Sequence, residues 1–475
     1  MRIAVIGAGP AGLTAALQLS HGGVSVDIYE AGSQVGGLAR SIDLWGERVD
    51  LGPHRFFSTD TRVNRFWLDI VGSDYVMIDR LTRIHFNDEL FQYPLKPWDV
   101  VTKLGLVETT RALLSFAKST LYRGSNESVA PSFENWVVRQ FGQRLFETFF
   151  KSYSEKLWGI PCTELSEDFA AQRIRKFNLR VAILNAIFYG TRNDHRTLAD
   201  SFAYPLGGTG SVYERIASRI TDLGGNVFLD RPVSKVLTAN GKVTGVRCVN
   251  GELEHYDHVI STMPITLLVK GMENVPQPVH EAASQLTFRN TILIYLEVEA
   301  PNLFKDQWLY IHDSHVKVGR ITNFNNWGTS KRPNASTTIL CCEYWCNQSD
   351  STWLASEDTL VERASSELRQ IGLIKNQLII NSHVIRIPRC YPVYQIGYQQ
   401  HVDIISSFLR SIDGLSVIGR YGAFKYNNQD HSILMGLLAA DNLLHSDRHN
   451  LWELNSDFDS YQEQSLITHS GLVPT

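Results

Sequence analysis

Cysteine is scarce in this chain, with six in 475 residues: Cys162, Cys248, Cys341, Cys342, Cys346 and Cys390. Such scattered thiols point to a reducing compartment, and a cytoplasmic enzyme is the expectation. The 341–346 group lies in an apolar, strand-like run. No paired Cys or His cluster completes a tetrahedral set around it, which argues against a metal centre. No apolar run reaches about 18 residues, so no membrane span is expected. No secretory leader is legible ahead of the first strand. Repeats of solenoid period and low-complexity tracts are lacking. A net charge of −4 provides no basic field to favour nucleic acid. What remains is ordinary for a globular chain of two or three domains or lobes: 43% hydrophobic and 20% charged.

The informative stretch is residues 1–40. Residues 1–6 form a short apolar run of the kind found in a buried parallel strand. Gly7-Ala8-Gly9-Pro10-Ala11-Gly12 follows and opens a helical run. A second strand over 24–29 ends in Glu30. This is a βαβ unit with a dinucleotide fingerprint. Gly7 allows the tight turn, Gly9 lets backbone approach a pyrophosphate, and Gly12 lets helix and strand pack closely. Glu30 stands where an acid grips a ribose hydroxyl. A second glycine pair, Gly36-Gly37, follows in the phrase that runs on to Leu38 and Arg40. That arrangement resembles the FAD-binding domain of the glutathione-reductase-like flavoproteins. The resemblance, and not the spacing, implies FAD.

Farther along, residues 42–58 read as a hairpin. It runs into the irregular turn Gly52-Pro53-His54, which suggests a loop facing the cofactor. Residues 84–95 alternate around an Asn87-Asp88 turn. From 98 to about 180 the pattern is helical, with a plausible cap at Ser132. The nucleotide fold resumes at 204–210 with a helix over 211–223 and strands to 264. Val233 stands where such flavoproteins meet the adenine. Residues 286–387 are strand-rich, with one helix over 357–371, and read as an antiparallel sheet covering the flavin. A strand at 415–420 and a helix at 432–444 close the first domain. Residues 450–475 read as a polar surface tail.

Four stretches, in order, resemble the UDP-galactopyranose mutase family. They are Gly52-Pro53-His54-x-Phe56; Tyr153-x-x-Lys156-x-Trp158-Gly159; Phe288-Arg289-Asn290; and Gly419-Arg420-x5-Tyr426-x3-Asp430. Glu343-Tyr344 matches a further family pair. The resemblance implies that Tyr153 and Trp158 hold the uracil. Arg173, on a mobile loop, and Arg289 would bind the diphosphate with Tyr344 and Tyr426, and Arg420 would meet the FAD pyrophosphate. Arg175 competes with Arg173, because this chain has one extra residue before it. Asn428 stands where the family has Asp. The implied catalytic set is Arg173, Arg289 and His54. The implied cofactor set is Gly7, Gly9, Pro10, Ala11, Gly12, Glu30, Gly36, Gly37, Leu38, Arg40, His54, Val233, Arg420, Asn428 and Gln429, with no metal. Elementary chemistry agrees with the cradle. Forked guanidinium donors and neutral phenols suit a diphosphate, and aromatic rings suit a base.

The expected fold is mixed α/β. A Rossmann-like FAD-binding domain comprises residues 1–83, 204–265 and 390–449. A helical lobe is expected over 98–203, an antiparallel-sheet substrate domain over 84–97 and 266–389, and a tail over 450–475. The resemblance implies an isomerase that interconverts pyranose and furanose forms of a UDP-hexose. In that chemistry the N5 of reduced FAD attacks the anomeric carbon, and NAD(P)H or another reductant supplies the electrons. A UDP-sugar is then the partner, no nucleic acid is involved, and a homo-oligomer is compatible with the sequence. One rival is an FAD-dependent oxidase or desaturase of the amine-oxidase or protoporphyrinogen-oxidase type. The other is a non-catalytic flavoprotein that binds a nucleotide sugar.

Overall fold

The computed structural model describes all residues except 94, 122–131, 169–200, 329–335, 446–448, 455–464, 470 and 475. The chain divides into two compact units. The first comprises Met1–Ile78, Phe202–Thr287 and Tyr398–Thr475; the second comprises Asp79–Ser201 and Phe288–Gly397.

The first unit is built on a five-stranded parallel sheet. Strand β1 (Arg2–Ile6), helix α1 (Pro10–His21) and strand β2 (Ser25–Tyr29) form its opening βαβ unit. The strand Asn226–Phe228 extends the sheet beyond β2. His258–Ser261 and then Leu415–Val417 extend it on the other side of β1. The inner strands are apolar and buried almost throughout: α1 packs on the sheet, and a three-stranded antiparallel sheet of Val233–Ala239, Lys242–Cys248 and Leu253–His255 contacts it through the strand His258–Ser261. Helix α1 packs between the helices Gly210–Asp222 and Gln429–Leu444. Gly436 makes the second of these contacts a close one: a Cβ there would lie 2.5 Å from the Ala11 carbonyl oxygen.

A buried carboxylate secures the loops next to this core. Asp50 ends the hairpin formed by Ser41–Leu44 and Glu47–Asp50. It accepts from Ser41 Oγ at 2.5 Å, Tyr204 Oη at 2.9 Å and Thr209 N–H at 3.1 Å. Thr209 Oγ1 in turn donates to the His54 carbonyl at 2.7 Å, so the network fixes the His54 turn.

The C-terminal stretch is not the free polar tail that its composition suggests. Leu451 is buried, and Trp452 and Leu454 pack against the core. Lys425 Nζ donates to the carbonyls of Trp452 and Leu454 at 2.6 and 2.5 Å. A terminal hairpin pairs Ser465–Thr468 with Gly471–Pro474.

The second unit holds a seven-stranded sheet. Its order is Ile379–Pro392, Phe288–Val298, Thr338–Cys346, Arg320–Asn323, Trp308–Ile311, Thr82–Phe86, Glu89–Gln92. Trp308–Ile311 and Thr82–Phe86 run parallel; the other neighbours are antiparallel. Asn87 and Asp88 both have positive φ, as a two-residue hairpin turn demands. Alternate residues Ile292, Ile294, Leu296, Leu340, Cys342 and Tyr344 form a core with Leu360, Ala364 and Leu368 of the helix Glu357–Gln370. The helical segments Pro97–Leu121, Phe133–Phe141 and Ser152–Trp158 belong to the same compact unit as this sheet. As expected, Ser132 caps the second of them, accepting from the Asn135 N–H.

The boundaries differ from those expected for the sheet domain. Residues 266–287 group with the first unit, because the helix Gln277–Gln285 packs on the helix Tyr398–Arg410. Among the described residues, no helix is long and apolar enough to cross a membrane, and no His, Cys, Asp and Glu cluster suits a metal ion.

Burial raises the Asp50 carboxyl to about 6, against which its hydrogen bonds act. The folded state therefore holds this proton more tightly than the unfolded chain does, and stability falls as pH rises from about 4 to 6. Between pH 5 and 7 the wild type should lose about 1 kcal/mol that Asp50→Asn does not lose. Parallel urea melts at the two pH values measure the difference.

Candidate functional site

In the first unit the two glycine loops meet. Gly7 has φ +99°, and its N–H donates to the Tyr29 carbonyl at 2.8 Å. A Cβ on Gly7 would strike Thr262 Oγ1 at 2.1 Å, and one on Gly12 would lie 2.1 Å from the Gly7 carbonyl oxygen. Gly36 N–H donates to the Ala8 carbonyl at 2.7 Å. A Cβ on Gly37 would come within 3.2 Å of the Gly9 Cα. Gly9 is the N-cap of α1 and offers no capping side chain, with Pro10 behind it in the first turn. The opening N–H groups of the helix are thus left to an external acceptor, and the helix dipole favours an anion there.

Glu30 ties these loops together. Its carboxylate accepts from the Ala8 N–H at 2.7 Å and the Gly32 N–H at 2.9 Å. The backbone at 230–231 hydrogen-bonds to the carbonyls of Gly32 and Glu30, two residues before Val233. Arg40 donates to the Gly37 carbonyl at 3.0 Å. Gly419, at φ +83°, brings the Arg420 turn against Ala11, where a Cβ would sit 3.3 Å from the Ala11 Cβ. The Arg420 guanidinium lies 4.6 Å above the Tyr426 ring and donates to the Asn427 carbonyl. Asn428 is the N-cap of the helix Gln429–Leu444, in a capping box with His431. Gln429 accepts from Tyr213 and donates to the carbonyls of His54 and Arg55. His54 Nε2 lies 3.0 Å from the Leu51 carbonyl. The fold therefore gathers residues 7–12, 30–40 and 419–420 around the N-terminus of α1, while Gln429 ties the 54–55 turn to the start of its own helix. These residues fit a dinucleotide: bare N–H donors, glycines that admit a ligand to the backbone, and an acid at the end of β2.

In the second unit a polar cavity of about 430 Å³ is lined by Glu155, Lys156, Arg289, Lys317, Tyr344 and Asp350, among others. Arg289 is 4% exposed. It caps the C-terminus of the helix Ser152–Trp158, donating to the carbonyls of Lys156 at 3.2 Å and Leu157 at 3.3 Å, and also to Trp345 at 2.9 Å. Gly159 ends that helix in the left-handed region, and a Cβ there would sit 2.3 Å from the Arg289 guanidinium carbon. The remaining nitrogen, Nη1, makes no hydrogen bond and lies 3.5 Å from Asp350 Oδ2. Burial pulls the guanidinium below its ordinary value, and Asp350 acts against this.

Lys156 is held in a cage of backbone carbonyls from Ile311, Asp313 and Val318, and burial lowers its ammonium to about 8. Tyr344 is 1% exposed and donates to Glu367 at 3.0 Å. The uracil slot expected between Tyr153 and Trp158 is not open on both sides. His312 stacks on Tyr153 at 4.8 Å, while Trp158 is buried and lies parallel to Tyr394 at 6.1 Å. Arg173 and its competitor Arg175 lie outside the described residues.

Sequence reading missed several residues here. Arg320 forms a bidentate pair with Glu343 at 2.6 Å, directly across neighbouring strands. Strand register, which the sequence does not encode locally, would have been needed to find it. Asp350 and His312 carry no motif. Lys156 sits inside a recognised motif and was given no role.

Residues 10–444 match the family model of flavin containing amine oxidoreductases. A protein of Klebsiella pneumoniae described as probable UDP-galactopyranose mutase is 28% identical over 199 residues, which is 40% of this chain and 49% of the relative. A neurosporene-forming phytoene desaturase of Rhodobacter capsulatus is 26% identical over 275 residues, covering 53% of this chain and 50% of the relative. The chain thus spans about half the length of these relatives. Among solved structures, a reduced UDP-galactopyranose mutase superposes with TM-score 0.84 at 24% identity, over 97% of both chains. Putrescine oxidase bound to putrescine superposes with TM-score 0.64 at 17% identity, over 94% of this chain and 99% of the other. At these identities the structural likeness establishes the fold.

Gly12→Ala places a methyl against the Gly7 carbonyl and should weaken FAD retention by roughly tenfold or more, about 1.4 kcal/mol. Flavin absorbance per chain after gel filtration measures it. Full flavin content in the variant would remove this loop from the cofactor site.

Proposed function

We propose that this chain, which belongs to the flavin containing amine oxidoreductase family, is a nucleotide-sugar mutase. It interconverts pyranose and furanose forms of a UDP-hexose, UDP-galactose or a close relative. FAD is its cofactor, as the family and the mutase fold imply, and the glycine cradle fits it. When bound and reduced, with electrons from NAD(P)H or another donor, the flavin supplies the nucleophile for the anomeric carbon.

The observation that carries the reading is the polar cavity in the second unit. A substrate with a diphosphate needs fixed donors and cations; a carotenoid-like substrate needs an apolar tunnel. Arg289 offers a guanidinium already locked by backbone carbonyls, with Nη1 left for a ligand. Such a donor requires no reorganisation when charge develops on the leaving group. Asp350 holds Nη1 in the resting state and yields to the more highly charged anion. Lys156 and Lys317 add positive potential to the same cavity. In this reading Arg173 (or Arg175) is the second diphosphate ligand, and Tyr344 and Tyr426 are further phosphate contacts. Tyr153 and Trp158 receive the uracil after rearrangement around Tyr153, and His54 shapes the loop beside the flavin.

One finding favours a second reading. The phytoene desaturase matches at an identity close to that of the mutase relative, so an oxidase or desaturase is the alternative. A non-catalytic nucleotide-sugar binder is the third reading.

The test is anaerobic turnover of UDP-galactofuranose, with products separated by chromatography. Conversion to UDP-galactopyranose by dithionite-reduced protein, and none by oxidised protein, is the expected result. Arg289→Ala should cut kcat/KM by the equivalent of about 2–4 kcal/mol. Flavin content and melting temperature check that the loss is not misfolding, since Arg289 also caps a helix. UDP binding without turnover would point to another sugar or to the binder. Neither binding nor turnover would transfer the assignment to the oxidase.

A further inference from the structure

Asp430 is a buried acid without a donor. It is the second residue of the helix Gln429–Leu444 and is 3% exposed, yet neither carboxyl oxygen has a hydrogen-bond partner among the described residues. The neighbouring groups are committed elsewhere. Tyr213 Oη donates to Gln429 Oε1 at 2.7 Å. His431 Nδ1 comes within 3.1 Å of Asp430 Oδ1, but it accepts the Asn428 N–H at 3.3 Å and so has no proton to offer. Asn428, and not Asp430, caps the helix. A buried carboxyl group without donors is costly, and an acid that served only the helix dipole could do so from solvent without that cost.

Its place in the fold identifies the donor. The helix Gln429–Leu444 runs parallel to α1. A Cβ on Gly436 would lie 2.5 Å from the Ala11 carbonyl oxygen and 2.8 Å from Thr14 Cβ, and a Cβ on Gly22 would lie 2.4 Å from a Leu444 methyl. Gly436 is therefore level with the first turn of α1. Asp430 stands six residues before it, about 9 Å by helical rise. That carries Asp430 past Pro10, beyond the N–H groups that α1 leaves to an anion. The helix of Asp430 also follows the strand Leu415–Val417, which lies across β1 from β2 and Glu30.

We infer that Asp430 holds the ribityl chain of FAD, its two oxygens accepting from hydroxyls of that polyol. With the pyrophosphate at the N-terminus of α1, the dinucleotide extends one way to the adenosine ribose, on the Glu30 side. It extends the other way to the ribityl hydroxyls, on the side where Asp430 stands. The chemistry fits this group best. A carboxylate with two unpartnered oxygens matches neighbouring hydroxyls, whereas the edge of the flavin ring offers it a single N–H. The inference rests on the cofactor and is independent of the substrate and the reaction.

The test is binding of FAD to the flavin-stripped full chain, followed by quenching of flavin fluorescence. Asp430→Leu should raise the dissociation constant roughly tenfold or more. The flavin-stripped variant should melt no lower than flavin-stripped wild type, because it lacks a buried carboxyl group that has no partner there. Asp430→Asn, which keeps one acceptor oxygen, should fall between the two in affinity. The analogues 2′-deoxy-, 3′-deoxy- and 4′-deoxy-FAD locate the contact. At least one should bind wild type several-fold more weakly than FAD does, and Asp430→Leu should not distinguish that analogue from FAD. Unchanged FAD affinity in Asp430→Leu overturns the inference. Wild type that binds all three analogues as well as FAD also overturns it, a result readable when the variants fail to fold. A flavin-stripped Asp430→Leu that melts well below wild type overturns it too and gives the carboxyl group to the fold.

Discussion

The nucleotide-binding unit depends on how closely the first turn of α1 approaches the end of β1. Gly12 rides over the Gly7 carbonyl with no space for a side-chain carbon. That single approach fixes the rest. It forces Gly7 into positive φ, brings the turn against Thr262, and leaves the mouth of the loop open to Gly36 and Gly37. The same tolerance is used again from distant parts of the chain, where Gly436 and Gly419 let the closing helix and the Arg420 turn reach α1. Backbone meets backbone at each contact, so hydrogen-bonding groups and not side chains line the cradle. Glu30 then holds the two loops in one geometry by accepting from both. A carboxylate bound to N–H groups is among the stronger hydrogen-bonded arrangements available to a protein.

The second unit rests on a different device. Arg289 is a helix cap before it is anything else, since three of its donor contacts go to backbone carbonyls. Removing it would expose the end of the helix that carries Tyr153, Lys156 and Trp158. Structure and ligand recognition are therefore joined in one guanidinium, and only Nη1 distinguishes the two roles. Lys156 works similarly. Its ammonium gathers carbonyls from a separate loop and so sets the wall of the cavity from the helix side. Such buried cations are costly unless satisfied, and here backbone carbonyls satisfy Lys156 and all of Arg289 but Nη1.

Much of this was legible in the residues. The βαβ opening, the second glycine pair, the 84–95 hairpin and the helix capped at Ser132 all stand where pattern and turn chemistry put them. The glycines were readable because their role is local: a turn or a close approach leaves its mark at the position itself. What stayed hidden depends on register and tertiary contact. Arg320 and Glu343 are 23 residues apart and meet only because two strands pair in one register. Trp158 gives a base-binding signal by type and a core signal by burial, and the sequence cannot separate them. The boundary near 266 was misplaced because a helix that follows a strand-rich stretch joins the domain it packs on. The C-terminal stretch looked polar because the apolar residues that anchor it, Leu451, Trp452 and Leu454 among them, are interspersed with polar neighbours.

The threading of the first unit has a consequence for how the molecule is made. Its sheet takes β1 and β2 from the beginning of the chain, two strands from the middle third, and an edge strand and the covering helix from the last eighty residues. The second unit is complete in sequence at Gly397. During synthesis from the N-terminus, β1 emerges long before the helix that buries α1. For most of translation the cofactor cradle has its glycines and its acid but lacks one wall. The inserted unit can settle first, and the nascent chain must keep an unfinished parallel sheet from associating with its neighbours until the ribosome releases the helix that covers α1.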